Sequence, residues 1–187
     1  MKNKKIRTLA ECAILVALGT ILSLFKIWEM PLGGAVTPLS MLPVCIIGFM
    51  HGPKWSFGSA FVYSLFQLFT GSVFAWGLTP FVLVICILFD YIVAFTVLGV
   101  TGLFRGRSNR GIIIGTALAM LLRFACHLIT GVTIWASSAP EGWNPWVYSI
   151  AYNGAYMLPE LIFTMIGLIA ILNVPAFKRL LDKRSRA

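Results

Sequence analysis

PFVLVICILFDYIVAFTVLGVTGLF, residues Pro80 to Phe104, is an apolar run of 25 residues interrupted by one formal charge, Asp90. At about 1.5 Å per residue it makes a helix long enough to cross a hydrocarbon core of about 30 Å with some tilt. Working outward, similar runs recur along the chain. Spans are predicted at roughly Leu9 to Phe25, Leu39 to Met50, Trp55 to Phe69, Pro80 to Phe104, Gly111 to Trp135 and Trp146 to Leu172. The second is short for a crossing helix, and Pro38 and Pro43 restrict its backbone, so it is expected to be tilted, broken or shallow. The expected fold is all-α: a polytopic membrane protein of six transmembrane helices in one bundle, with residues 1–187 forming a single domain.

Composition leads the same way. Hydrophobic residues make up 59% of the chain and charged ones only 11%, with a mean hydropathy of +0.89, which excludes an ordinary soluble domain. The net charge of +9 is placed asymmetrically. Lys2, Lys4, Lys5 and Arg7 precede the first span, and Lys54 separates the second from the third. Arg105, Arg107 and Arg110 separate the fourth from the fifth, and Lys178, Arg179, Lys183, Arg184 and Arg186 follow the sixth. All four groups fall on one side of a six-span arrangement, and the alternate loops hold Lys26 alone among basic residues. Because Lys and Arg accumulate in cytoplasmic loops, both termini are predicted to be cytoplasmic. That rule, with attraction to anionic leaflet lipids, accounts for the charge, so no nucleic-acid partner is implied.

The basic start followed by an apolar run has the look of a signal peptide. It leads instead into Lys26, Trp28 and Glu29 with no small-residue cleavage site, and reads as an uncleaved first span. Cys12, Cys45, Cys86 and Cys126 lie in apolar segments, without CxxC spacing or a His at ligand distance, and read as small core residues rather than metal ligands. No metal and no cofactor are expected.

Charges at membrane depth need a partner, a wet cavity or an interface. Asp90 stands in LVICILFDYIVAF, Arg123 and His127 in LLRFACHLIT, and Glu160 in YMLPELIF. Counting along ideal helices from the outer ends puts all four at overlapping depths, about 12 to 20 Å. Arg123 and His127 are i,i+4 and share a face, so one stripe of the fifth span can meet both acids. An Arg123 pair with Glu160 or Asp90 that only locks helices together is the plain structural alternative.

The segment WASSAPEGWNPWVYSIAYNGAYMLPE, from Trp135 to Glu160, gathers three Trp and three Tyr around a Pro-broken loop. Such residues suit a membrane border or the wall of a binding site. Tyr148 and Asn153 are about 140° apart on an ideal helix, so facing one pocket requires an irregular helix start or a ligand that wraps it. Aromatic planes at a mouth, with an acid and an imidazole deeper, suit a small, flat, polar or cationic molecule. GxxxxGK[ST], HExxH and GxSxG are absent, so neither a P-loop ATPase nor a familiar hydrolase is indicated. The chain is also short for a secondary transporter built of paired repeats.

On PEGWNPWVYSIAYNGAYMLPE the chain resembles the thiamine-specific substrate-binding components of energy-coupling-factor (ECF) transporters, the ThiT family. The resemblance implies a non-enzymatic, multi-pass protein of the bacterial plasma membrane that captures thiamine. Its implied partners are a transmembrane coupling subunit, two ATPase subunits and the lipid bilayer. It also implies substrate-binding roles for Asp90, Tyr91, His127, Trp135, Tyr148 and Asn153, with Trp28, Trp76 and Glu160 as further candidates. Asp90 stands where the family carries Glu, one methylene longer. Ala13 and Ala17 form a small-xxx-small pair of the kind that contacts the coupling subunit, although internal packing would use them equally well. The rival readings are a component for another vitamin or a thiamine precursor, and a membrane-embedded enzyme using Asp90, His127 and Glu160.

Overall fold

The computed structural model describes residues 2–185; Arg186, the last of the C-terminal basic group, lies outside them. Helix α1 (Lys2–Leu24) begins about two turns ahead of its apolar run, with Arg7 bonded to Glu11 at 2.9 Å across one turn. A two-residue antiparallel pair follows, β1 (Trp28–Glu29) with β2 (Ala35–Val36), Trp28 facing Val36. Then come α2 (Leu42–His51), α3 (Pro53–Thr70), α4 (Pro80–Phe104), α5 (Asn109–Thr133), α6 (Pro145–Leu172) and α7 (Pro175–Ser185).

The starts of α5 and α6 are written in the sequence. The Ser108 hydroxyl accepts from the Gly111 N–H, and the Asn144 side chain accepts from the Trp146 N–H at 2.8 Å, with Pro145 opening the helix. Helix α6 passes through Pro159 without ending, so that proline does not break the span.

Five helices, α1, α3, α4, α5 and α6, are long and apolar enough to cross a bilayer. The expected second span is different. Helix α2 has ten residues, about 15 Å of helix, and every residue from Leu42 to Met50 is buried. The preceding residues turn instead of continuing the helix, with Leu39 at φ 62. Helix α2 thus forms the centre of the bundle, with Val44, Cys45 and Ile47 fully enclosed.

Close backbone approach explains why the other helices can surround it. A Cβ on Gly48 would fall 2.3 Å from Thr101 Oγ1, and one on Gly102 would fall 2.6 Å from Pro53 Cα. These glycines let α2, α3 and α4 touch almost backbone to backbone. Along this contact α4 winds tightly, as a 3₁₀ helix over Val97–Phe104. Above it, Ile87–Val93 is a π-helical turn.

At one end of the molecule Glu11 collects two arginines and a histidine. Arg7 lies at 2.9 Å, Arg184 at 2.6 and 2.7 Å, and His51 Nε2 at 3.1 Å. Arg105 donates to the Arg184 carbonyl. Helices α1, α2 and α7 and the α4–α5 turn therefore meet at one basic end. Phe177, Leu180 and Leu181 of α7 pack onto the core there.

Candidate functional site

At the opposite end, α4, α5, α6 and the segment between α1 and α2 enclose a cleft of about 530 Å³, part of it open to solvent. Asp90, Tyr91, His127, Trp135, Tyr148 and Asn153 all line it, as does Trp76. Among the described residues Asp90 is the one acid in its wall, and no Lys or Arg lines it.

The π turn of α4 brings Asp90 and its neighbour Tyr91 to the same cleft. Such single π turns recur at functional sites because they displace side chains from the regular α register. Asp90 Oδ1 lies 3.1 Å from His127 Nδ1 and accepts from the Thr130 hydroxyl. Both Asp90 and His127 side chains are nearly enclosed, 12% exposed. With Nδ1 directed at the carboxylate, the other ring nitrogen, Nε2, is left toward the cleft side of the pair without a protein partner among the described residues.

Helix α6 packs so closely on α5 that a Cβ on Gly131 would overlap Ser149 Oγ at 2.0 Å. Ser149 Oγ donates to the Leu128 carbonyl at 3.0 Å, stitching the two helices together. Asn153 Nδ2 donates to the His127 carbonyl at 3.2 Å, and the Tyr156 hydroxyl donates to Asn153 Oδ1 at 2.9 Å. The amide is thereby fixed in orientation at the cleft wall. Tyr148 and Asn153 reach one cavity without an irregular helix start. Ser149, Tyr152 and Tyr156 fill the arc between them, so the cleft wraps about 140° of a regular helix.

Aromatic rings form the rest of the wall. Trp76 and Trp135 meet edge to face at 5.4 Å, and Tyr148, Tyr152 and Tyr156 follow one another at 5.9 and 6.1 Å. Across them lies the segment between β1 and β2. Tyr152 donates to the Pro31 carbonyl and accepts from the Gly34 N–H at 3.3 Å. Gly33, at φ +92, lies so near Trp76 that a Cβ would come within 2.6 Å of the indole. Leu32, Gly33 and Gly34 thus roof the cleft, the two glycines where a side chain would collide with Trp76 or Tyr156.

Two of the weaker candidates lie elsewhere. Trp28 sits in β1, half exposed and outside the cleft wall. Glu160 is buried below the cleft, where it pairs with Arg123 at 2.6 Å and accepts from the Thr37 N–H at 3.2 Å and from its hydroxyl. Arg123 also lies over the Phe95 ring at 4.7 Å. Both intramembrane pairs of the α5 stripe therefore form, His127 with Asp90 and Arg123 with Glu160. They part the grouping of Asp90, His127 and Glu160 that the enzyme reading requires. Trp143 and Trp146 are exposed, in keeping with a membrane border, whereas Tyr152 belongs to the cleft.

The sequence reading placed none of Thr130, Ser149, Tyr152, Tyr156 or the glycines at 33, 34 and 131 in the site; Tyr148, Tyr152 and Tyr156 recur at i+4, but nothing in the spacing of Thr130, Ser149, Gly33 or Gly34 marked them. Ala13 and Ala17 are exposed on α1 and line a separate apolar groove of about 1310 Å³ between α1 and α3.

The family described as "Thiamine transporter protein (Thia_YuaJ)" matches residues 9–179. The chain is 32% identical over 181 residues to the thiamine transporter ThiT of Bacillus subtilis (strain 168), covering 89% of this chain and 91% of that protein. It is 28% identical over 155 residues to the thiamine transporter ThiT of Lacticaseibacillus paracasei, covering 72% and 71%. Among solved structures, ThiT from Listeria monocytogenes superposes with a TM-score of 0.72 at 25% identity, covering 95% of this chain and 98% of that one. These relatives are named as transporters rather than enzymes. With a match across nearly its whole length and a bundle shared with a solved relative, this chain belongs to the thiamine transporter protein family.

Proposed function

We infer that this chain is the thiamine-binding, membrane-embedded component of a vitamin uptake system in the bacterial plasma membrane, and that the cleft around Asp90 is where it holds thiamine. The observation that carries this reading is electrostatic. A single carboxylate, steadied by His127 and Thr130, stands in a cleft with aromatic walls and no cation. Thiamine combines a cationic thiazolium with a flat aminopyrimidine. An enclosed carboxylate attracts the first or accepts from the amine of the second, and ring faces add cation–π and stacking contacts.

In this reading His127 Nε2 and Asn153 meet the polar edge of the pyrimidine, while Trp135 and Trp76 cover its rings. Tyr91 and Tyr148 close the sides. Glu160, bonded to Arg123, acts as support beneath the site rather than as a contact, and Trp28 as an anchor at the membrane border. The chain carries no ATP-binding loop, so energy must come from partners. We assign that role to a transmembrane coupling subunit and two ATPase subunits, with the apolar groove at Ala13 and Ala17 as the docking face on α1. Both termini, and the basic end they share, then face the cytoplasm.

Tryptophan fluorescence tests the ligand. Thiamine added to the purified protein is expected to change the emission of Trp76 and Trp135 saturably and raise the thermal midpoint, while riboflavin, biotin and a free pyrimidine leave both unchanged. A response to one of those and none to thiamine would defeat the assignment.

A further inference from the structure

Among the described residues of the basic end, Glu11 binds Arg7 and Arg184, and Arg105 is bonded to the Arg184 carbonyl. Arg107, in the α4–α5 turn, and Lys178, on the first turn of α7, make no ion pair among the described residues. Both side chains line one cavity of about 530 Å³ between that turn and α7. Its apolar wall is Phe49 and Ile112, nearly buried, with the half-buried Leu181. Asp182 is the one acid lining it among the described residues.

Two cations against one carboxylate leave the cavity with a single excess positive charge, the complement of a phosphodiester. Its height in the membrane follows from α5. That helix carries 25 residues of apolar span and starts at Asn109, beside the cavity, so the cavity opens where the hydrocarbon gives way to headgroups. We propose that this cavity seats an anionic phospholipid, with its phosphate between Arg107 and Lys178 and its glycerol end against Phe49, Ile112 and Leu181. The lipid would tie α7 and the α4–α5 turn together, independently of the cleft at the other end.

The test uses the full-length protein and compares phosphatidylglycerol with phosphatidylcholine of the same acyl chains, read by lipid retained in native mass spectrometry and by thermal midpoint. Phosphatidylglycerol is expected to be retained preferentially. A variant carrying Arg107→Gln and Lys178→Gln should lose roughly thirtyfold in retention, by the usual contribution of basic residues at an anionic surface. A charge-matched control, Lys5→Gln with Lys54→Gln, should keep it. All three proteins should bind thiamine alike, which shows that they are folded. Equal retention of the two lipids, or equal loss in the control, would overturn the proposal in favour of diffuse attraction. Stabilisation by glycerol 3-phosphate or inorganic phosphate as strong as that by the lipid would overturn it in favour of a small-anion site.

Discussion

Asp90 owes its placement to its neighbours. His127 and Thr130 hold one of its oxygens, and the surrounding wall offers no other formal charge. Replacing it by Asn keeps the shape and removes the charge. We expect Asp90→Asn to weaken thiamine binding by about 2–5 kcal/mol, roughly thirtyfold to several thousandfold in Kd, with a thermal midpoint close to the parent's when no ligand is present. Titration calorimetry measures it, and an unchanged Kd would remove Asp90 from the site. Glu160 should behave oppositely. Glu160→Gln strands Arg123, 4% exposed, without its counter-charge, so stability should drop by about 3–5 kcal/mol. A variant that melts like the parent yet has lost thiamine would return Glu160 to the site. At this scale the sequence was most legible where a charge or ring broke an apolar run, as at Asp90, His127 and Trp135. It was silent on Thr130 and Ser149, whose hydroxyls are ordinary in any helix until another helix approaches.

Helices were legible by their apolar length, their bends by nothing visible. The run Pro80 to Phe104 announced a span, but not that it would relax into a π turn at Asp90 and tighten into a 3₁₀ helix beyond Thr96. Those changes of winding follow from tertiary contact, above all the close approach of α3 at Gly99 and Gly102. Gly102→Ala should therefore be felt: its Cβ meets the Pro53 backbone, which has no flexible end to yield. A loss of about 1–3 kcal/mol is expected, read as a lower thermal midpoint in detergent. An unshifted midpoint would mean that α3 and α4 are less tightly joined than their glycines imply. The second run was expected to be a tilted, broken or shallow span, and the complete burial of helix α2 was not legible, for a related reason. An apolar run of that length fits a shallow span or a buried core helix equally well, and only the packing of five longer helices around it decides.

For the whole molecule the two ends divide the work. One holds the cleft and its roof; the other gathers the basic groups and, along α1, adjoins the apolar groove. If the groove is where a coupling subunit docks, Ala17→Trp should abolish thiamine uptake by cells and copurification of partners while leaving thiamine affinity of the isolated chain intact. Loss of affinity as well would instead tie the groove to the fold of the cleft. The charge asymmetry and the all-helical membrane architecture were legible at this scale; that the ends would be separated by a buried helix and an ion pair was not.

That separation sets what the protein can do alone. Below the cleft the Arg123–Glu160 pair lines a second, polar cavity, which shares Gly33, Tyr91 and Tyr156 with the cleft wall. If coupling partners are what drive release, an isolated copy is a container of fixed capacity: its appetite for vitamin is counted in molecules per chain, and only with those partners added does it acquire a rate.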